Sequence, residues 1–422
     1  MAPLEPWEKV LVDGETFPIT AHGTLGCINC HLGENNADKA VAHEGINARP
    51  SNDPGSVCAS CHPDVSEMYP NSLHAAQTGY WTAIDARNTP ADHPALEEMF
   101  GNHCESCHTT CGDCHVSQPA SVGGGLIEGH VFKATPSLTR NCTACHGSRV
   151  GNEYMGKNEG VLADVHFRQG RMKCTDCHTA AEMHGDYASL GLSTDTPADR
   201  YDGGQAPICT QCHESVVAGA DGVQMHQMHG ETLSCQVCHS VSYSSCDGCH
   251  VQLSEETGNP YFSTEGTYAT FLIGLNPLQS EDRPYKYVPV RHIPVDPTSY
   301  SFYTGADMAN FATLPTWAYA TPHNIQRNTP QNESCESCHG NAAIFLTADK
   351  VQESELSANL SVIVEQAPLP IEQLMKPQPA DHTYTSAMCL TCHTSGNAEI
   401  PQIPESHSTY NPENCSTCHA AP

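Results

Sequence analysis

The stretch Cys104-Glu-Ser-Cys-His-Thr-Thr-Cys-Gly-Asp-Cys-His115 carries the pattern Cys-x-x-Cys-His twice in immediate succession. Across the 422 residues this pattern occurs twelve times and uses all 24 cysteines. The paired cysteines are Cys27 and Cys30, Cys58 and Cys61, Cys104 and Cys107, Cys111 and Cys114, Cys142 and Cys145, Cys174 and Cys177, Cys209 and Cys212, Cys235 and Cys238, Cys246 and Cys249, Cys335 and Cys338, Cys389 and Cys392, and Cys415 and Cys418. The motif histidines are His31, His62, His108, His115, His146, His178, His213, His239, His250, His339, His393 and His419. No cysteine is left over for a structural disulfide or a lipid anchor.

This spacing is the attachment signal for c-type haem. Two thiols three residues apart can form thioethers with the two vinyl groups of one haem, and the adjacent histidine offers an imidazole to the iron. A zinc site would need two cysteine pairs or a pair with distant histidines, and it does not require a histidine after every second cysteine. A disulfide framework would leave some cysteines outside the pattern. The sequence therefore predicts twelve covalently bound haem c groups.

The composition predicts a fold without a conventional hydrophobic core. Glycine and proline contribute 32 and 30 residues, and aromatic residues make up only 6% of the chain. The scarcity of long periodic segments predicts short α-helices, much irregular structure and little β structure. We expect the cofactors to fill the interior, with the burial of porphyrin supplying most of the hydrophobic stabilisation.

By its motifs the chain resembles the multihaem c-type cytochromes that transfer electrons in the periplasm or outside the cell. The resemblance covers the whole chain except the segment between His250 and Cys335. It implies short helices and loops wound around a stacked haem array, and an electron-transfer role rather than an enzymatic one. It also implies that haem is attached on the outer side of the cytoplasmic membrane.

Histidines outside the motifs supply candidates for the second axial ligand of each iron. There are 26 histidines in all, so fourteen remain for twelve irons, which predicts bis-histidine ligation and low potentials at most or all haems. His93, beside Pro94, is the first choice for a spare residue. His226 and His229 lie three residues apart, which predicts that one helical turn serves two neighbouring haems. The thirteen candidate ligands are His22, His43, His74, His103, His130, His166, His184, His226, His229, His292, His323, His382 and His407.

The motif spacing divides the chain into three regions. Residues 1–250 hold nine motifs, residues 251–334 hold none and are rich in aromatics, and residues 335–422 hold three. The close motif pairs within 104–115 and 235–250 predict two pairs of directly stacked haems. The middle region is interpreted either as a wrap that delivers His292 and His323 to irons or as a contact surface for another subunit.

Two finer expectations concern local structure near the middle region. The run from Tyr285 to Val295 is β-prone, and its prolines predict an edge strand or an extended arm. The spacing of apolar residues from Leu346 to Gln366 predicts a short amphipathic helix.

The net charge and the N-terminal sequence indicate which partners and which cellular compartment to expect. The formal charge of −30 argues against a nucleic-acid partner, and it is interpreted either as a contribution to solubility or as a field that steers positively charged redox partners to the protein. No run of 18 apolar residues is present, so no membrane span is expected. The N-terminus lacks the basic and apolar regions of a signal peptide. Because haem c attachment implies export, we expect an extracytoplasmic protein, periplasmic or extracellular, whose precursor carries a signal peptide absent from this chain.

Two functions are consistent with these observations. The first is electron transfer through a continuous chain of twelve haems, with redox proteins or extracellular acceptors as partners and self-association into a filament as one form. The alternative is a multihaem reductase of nitrite, hydroxylamine or a sulfur oxyanion, which would keep one haem with an open coordination position. High-spin ferric signals or a carbon monoxide shift would distinguish the reductase from the conductor.

Overall fold

A computed structural model describes residues 4–53, 55, 57–105, 109–193, 195–202, 206–217, 221–241, 244–281, 283–293, 296–374, 393 and 403. Within these ranges the side chains of residues 148–149, 217, 244–250, 263–269, 372 and 374 lie outside the description. The chain forms two compact units. The first consists of Met1–Pro207, Tyr243–Ala269 and Ile293–Thr316, and the second of Ile208–Ser242, Thr270–His292 and Trp317–Pro422.

Most α-helices have only one or two turns. Among the described residues, the two longest helices have 10 and 11 residues. The helices are α1 (Ile28–His31), α2 (Lys39–Ala42), α3 (Pro63–Met68), α4 (Leu73–Ala76), α5 (Thr78–Arg87), α6 (His93–His103), α7 (Cys111–His115), α8 (Thr143–His146), α9 (Asn152–Tyr154), α10 (Val165–Arg168), α11 (Cys174–Cys177), α12 (Ala180–His184), α13 (Glu214–Val217), α14 (Gln224–His229), α15 (Cys235–His239), α16 (Ser301–Thr304) and α17 (Ile371–Leu374).

Single 3₁₀-helical and π-helical turns connect these α-helices. Two π-helical turns, Leu138–Cys142 and Gly147–Gly151, flank α8. The 3₁₀ turns are Glu8–Val10, Phe17–Ile19, Gly23–Leu25, Pro50–Asn52, Cys58–Ser60, Tyr69–Asn71, Ala120–Val122, Glu128–His130, Ala188–Leu190, Cys209–Gln211, Phe311–Thr313, Pro330–Asn332, Cys335–Ser337, Ala342–Ile344, Ala348–Lys350 and Glu353–Glu355.

Among the described residues, strands are few and fall into two small antiparallel sheets. In the first unit β1 (Ser244–Leu253) pairs with β2 (Pro260–Ala269). In the second unit β3 (Leu272–Leu275), β4 (Tyr287–His292) and β5 (Trp317–Tyr319) form a sheet in that order. The expectation of short helices, irregular structure and little strand is confirmed for the described residues.

The predicted edge position of the run from Tyr285 is wrong, because β4 is the central strand of its sheet. Pro289 is paired with Ile273 of β3, and its carbonyl accepts a hydrogen bond of 2.9 Å from the Ala320 N–H. Ala320 lies one residue past the end of β5, so the return bond that proline cannot donate would fall where the pairing stops. A central strand thus tolerates this proline because its partner strand is short.

Helix α6 illustrates how the first unit buries apolar residues. Leu96, Met99 and Phe100 are buried at the i, i+3 and i+4 positions of one helical face. Leu96 and Met99 pack with Ile84 of α5 and Val251 of β1, and Tyr80 and Tyr303 line the same cluster. This cluster has only four fully buried members among the described residues.

The second unit has two comparable clusters. One contains Val288, Val290, Leu346, Val351, Val362 and Ile363. The other contains Val237, Ile273, Phe345 and Val364. Among the described residues the buried apolar side chains therefore form small separate groups around the sheet and α15.

The predicted amphipathic helix from Leu346 to Gln366 is wrong. The segment instead contains the 3₁₀ turns Ala348–Lys350 and Glu353–Glu355, followed by hydrogen-bonded turns over residues 356–362. Its ends join the sheet region, since the Leu346 N–H donates to the Ile273 carbonyl and the Val364 N–H donates to the Leu346 carbonyl, both at 2.8 Å. Backbone pairing with β3 competes with a helix, and tertiary contacts override the weak local periodicity.

Replacement of Leu346 by alanine is expected to lower the free energy of unfolding of the second unit by about 2–5 kcal/mol, because its fully buried side chain would leave a cavity. Urea unfolding followed by far-UV circular dichroism measures the change. Leu360→Ala is the matched control, since Leu360 is 65% exposed in the same segment and its loss should cost less than about 0.5 kcal/mol. Equal effects of the two substitutions would contradict the packing described here.

The middle region of the sequence does not form a single element. It contributes β2 and residues 296–316 to the first unit, and β3, β4 and β5 to the second. The three-region division remains a prediction about cofactor content along the chain. In the described part of the chain, no helix combines the length and apolar character that crossing a membrane would require.

Candidate functional site

Most described motifs form one turn of helix. α7 and α15 contain complete motifs, and in other motifs the histidine N–H donates to the carbonyl of the first cysteine, at 2.8 Å for His31, His62 and His178. Residues i, i+3 and i+4 share one face of a helix. The Cys-x-x-Cys-His spacing therefore places both thiols and the imidazole on the same side of the turn.

The ninth motif differs, because its backbone from Cys246 to His250 belongs to β1. The side chains of this motif lie outside the description, as do Cys107, His108 and the motif residues Cys389, Cys392, Cys415, Cys418 and His419. The predicted stacking of haems within 104–115 and 235–250 therefore involves residues outside the described set and stays a prediction.

Six motif histidines each face one histidine from outside the motifs. The ring centroids of every pair are 5.9–6.2 Å apart. The pairs, with the non-motif histidine first, are His22 and His62, His130 and His31, His74 and His146, His184 and His115, His226 and His239, and His229 and His339.

This separation fits two imidazoles on opposite sides of one metal atom. Metal–imidazole bonds of about 2.0 Å, each extended by about 1.1 Å from nitrogen to ring centre, place the two centres roughly 6 Å apart. The residues present therefore fit a haem iron held between two histidines, with the motif thiols beside one of them.

The hydrogen bonds of the motif histidines orient the rings for ligation. The Nδ1–H groups of His31, His115, His239 and His339 donate to the backbone carbonyls of Asn47, Lys133, Gln326 and Leu369, over 2.8, 2.6, 3.1 and 3.1 Å. A proton on Nδ1 leaves Nε2 with its lone pair, which is the form that binds a metal.

Burial keeps several facing histidines neutral. Desolvation, followed by the positive field of the facing motif histidine, lowers the pKa values of His22, His184 and His229. The same causes lower the pKa of His74 to about 4. A neutral imidazole is the metal-binding form, so these rings are in the ligating state at neutral pH.

His130 is held by an unusual backbone turn. Glu128, Gly129 and His130 have φ values of 50°, 65° and 78°, and non-glycine residues rarely adopt such values. A Cβ on Gly129 would lie 2.8 Å from the Asp13 side chain, so this position requires glycine. The imidazole of His130 stacks on Phe17 at 4.7 Å. Backbone strain of this kind is found at functional positions.

The single helical turn predicted for His226 and His229 is present as α14. The two rings face His239 and His339, which belong to different motifs. His22 faces His62 of the second motif, although the motif that follows it directly in sequence begins at Cys27.

Other predicted ligands use their ring nitrogens elsewhere. His103 Nε2 lies 2.7 Å from the Tyr303 hydroxyl, and His292 Nε2 lies 3.1 Å from a carboxylate oxygen of Glu355. These contacts occupy the nitrogen that would bind iron, so the structure gives no support for ligation by His103 or His292 in this conformation. In His93, Nδ1 and Nε2 lie 2.9 and 3.5 Å from the carboxylates of Asp85 and Glu97.

The remaining candidates have their Nδ1 atoms engaged. Nδ1 contacts the Lys39 carbonyl in exposed His43, Asp164 in His166, and the Thr321 carbonyl in His323, at 2.7, 3.0 and 2.8 Å. These contacts leave the role predicted for the three residues open. His382 and His407 lie outside the described residues.

Sequence reasoning missed the carboxylates that contact ring nitrogens of ligand candidates. Glu182 contacts His178 at 3.0 Å, Asp164 contacts His166 at 3.0 Å, and Asp221 contacts His226. For Glu182 the i,i+4 spacing from His178 was an available signal. Asp164 also caps α10 by accepting a bond from the His166 N–H, which is typical of an aspartate at that position.

Contacts between cysteines place successive motifs side by side. In the first unit, Cys30 lies near Cys58 and Cys145 lies near Cys114, close enough for a thiolate at Cys30 or Cys145 to raise the pKa of its neighbour. Hydrogen bonds join Cys58 to Cys111, and Cys142 to Cys174. We call the five motifs beginning at Cys27, Cys58, Cys111, Cys142 and Cys174 the first thiol series.

A shorter series lies in the second unit. Cys209 hydrogen-bonds to Cys235, and Cys338 lies near enough to Cys238 for a thiolate there to raise the Cys238 pKa. We call the motifs beginning at Cys209, Cys235 and Cys335 the second thiol series. Thioether sulfurs would replace these thiols in a haem-bearing protein, so the contacts mark which attachment points are neighbours.

Among the described residues, no group of three or more His, Cys, Asp or Glu side chains is arranged to hold a metal ion. A haem iron takes at most two ligands from the protein.

Comparison with protein-family models, with curated proteins and with solved structures finds no match for this chain.

Proposed function

We propose that the chain is a dodecahaem c-type cytochrome that transfers electrons along its haem array. The observation that carries the proposal is the set of six histidine pairs, each joining one motif histidine to one non-motif histidine at 5.9–6.2 Å.

The two thiol series support conduction rather than twelve independent sites. When bound, the haems supply one-electron redox centres. The chain holds their attachment points next to each other, as in the contact between Cys58 and Cys111. α12 contributes to two motifs at once, because Glu182 contacts His178 while His184 faces His115. Because one short helix contacts both motifs, it would hold the haems attached to them at a fixed distance from each other.

The protein side chains would hold the array at low potential. Two imidazoles stabilise ferric iron better than the histidine–methionine set that raises potentials in other cytochromes. Nδ1 donation to backbone carbonyls, as from His31 to Asn47, increases the basicity of the ligating nitrogen. We propose an extracytoplasmic location, periplasmic or extracellular, and redox partners with basic surfaces that the charge of −30 would attract.

Haem counting and spin state test this function. The chain, produced with haem c maturation and exported, is expected to contain twelve haems per polypeptide by pyridine haemochrome assay and mass spectrometry. Electron paramagnetic resonance of the oxidised protein should be predominantly low-spin at the paired sites. Colourless protein, or zinc in place of iron, would refute the proposal. A native high-spin haem that binds carbon monoxide would instead favour the reductase of nitrite, hydroxylamine or a sulfur oxyanion.

A further inference from the structure

The motif histidines differ in the charge of the group that accepts their Nδ1–H bond. His31 and His115 donate to neutral backbone carbonyls. His178 instead lies 3.0 and 3.1 Å from the two carboxylate oxygens of Glu182. Hydrogen bonds to an ionised acceptor are stronger than bonds to a neutral one. The motif at Cys174 therefore has a more strongly polarised imidazole than these two motifs.

The local fold holds Glu182 in place. It lies in α12, directly after its motif, and its N–H donates to the Thr179 hydroxyl that caps the helix. The Glu182 side chain is 15% exposed and that of His178 is 34% exposed. Limited contact with water weakens the screening of a charge, so the carboxylate acts on the imidazole more strongly than a surface acid would.

The contact between Glu182 and His178 affects a motif that belongs to the first thiol series. Cys174 contacts Cys142, so the motif at Cys174 is a neighbour of the motif at Cys142 in the first thiol series. A negative charge on the proximal imidazole side stabilises ferric iron relative to ferrous iron, and hydrogen bonding to an axial ligand is an established control of haem potential.

We propose that Glu182 is a positioning residue that lowers the potential of the haem attached at Cys174 and Cys177. The inference rests on the proposed function, because it requires haem at this motif. A lowered potential at this motif favours electron transfer from its haem to the neighbouring haem attached at Cys142 and Cys145.

The test is Glu182→Gln in the haem-loaded full chain. Glutamine keeps a neutral acceptor for the His178 Nδ1–H and removes the charge. Spectroelectrochemical titration should show the redox step of one haem in twelve moved to higher potential, with the other steps unchanged. The low-spin resonance of that haem should shift as well. Glu182→Asp retains the charge and should keep the step close to that of the parent protein.

Glu98→Gln is the matched control, because Glu98 is an exposed acid of the same unit and loses the same charge. It should leave the titration unchanged. A haem-loaded Glu182→Gln protein with the spin states and the titration of the parent would overturn the inference, and so would a shift to lower potential. Conversion of one haem to high spin would also overturn it, by showing that Glu182 only holds the ring in place. Failure of the proposed function would be seen separately, as a parent protein with fewer than twelve haems.

Discussion

Replacing His74 by alanine is expected to convert one haem in twelve from low-spin to high-spin and to open it to carbon monoxide. His74 faces His146 with a ring separation of 6.2 Å and perpendicular planes. Burial holds its pKa at about 4, so its imidazole is neutral and available to metal at neutral pH. Among the described residues this pair combines ligand geometry with the largest depression of a histidine pKa, which is why we expect a large effect.

The measurement is electron paramagnetic resonance of the oxidised protein together with the carbon monoxide difference spectrum of the reduced protein. Added imidazole should restore the low-spin state by entering the vacated space. His93→Ala is the control: both ring nitrogens of His93 face carboxylates, and its loss should alter neither spectrum. A His74→Ala protein that remains fully low-spin without added ligand would show that His74 does not bind iron.

Serine at both Cys142 and Cys145 is expected to remove one haem per chain and to interrupt the first thiol series. The motif beginning at Cys142 lies between its neighbours, because Cys145 interacts with Cys114 while Cys142 contacts Cys174. Eleven haems should be counted by mass spectrometry. Electron transfer between the motifs on either side should lose most of its rate, since it depends on closely spaced centres.

The matched control is serine at Cys27 and Cys30, in the terminal motif of the same series. This variant should also carry eleven haems, but transfer between the motifs at Cys58 and Cys174 should persist. Conductance of single molecules, or the rate of internal re-equilibration after pulsed reduction, distinguishes the two variants. Equal conduction by both, or retention of twelve haems by either, would contradict the series described here.

Local chemistry explains which properties could be predicted from the sequence. Most described Cys-x-x-Cys-His motifs form a helical turn whose i, i+3 and i+4 residues share a face, so the common side of the two thiols and the imidazole could be predicted from spacing alone. The 62 glycine and proline residues interrupt long helices, which accounts for the short elements observed. The helical turn of His226 and His229 was likewise predictable from an i, i+3 spacing.

Non-local contacts explain the predictions that failed. β4 is central in its sheet despite Pro289 because the missing donor falls beyond the end of β5. Leu346 pairs with β3 and does not begin a helix. Such outcomes depend on which segments meet in space, and local propensity is too weak to determine that.

The sequence by itself determined the twelve Cys-x-x-Cys-His motifs, their spacing and the fourteen further histidines from which haem binding is proposed. Only the tertiary structure decided which histidine faces each motif histidine. His31 faces His130, and His339 faces His229, and the two residues of each pair are about a hundred positions apart in the sequence. It also turned His103 and His292 towards Tyr303 and Glu355. The physical reason is that a Cys-x-x-Cys-His motif is complete within five residues. The histidine that faces it comes from a distant segment, which only the folding of the chain brings close to the motif.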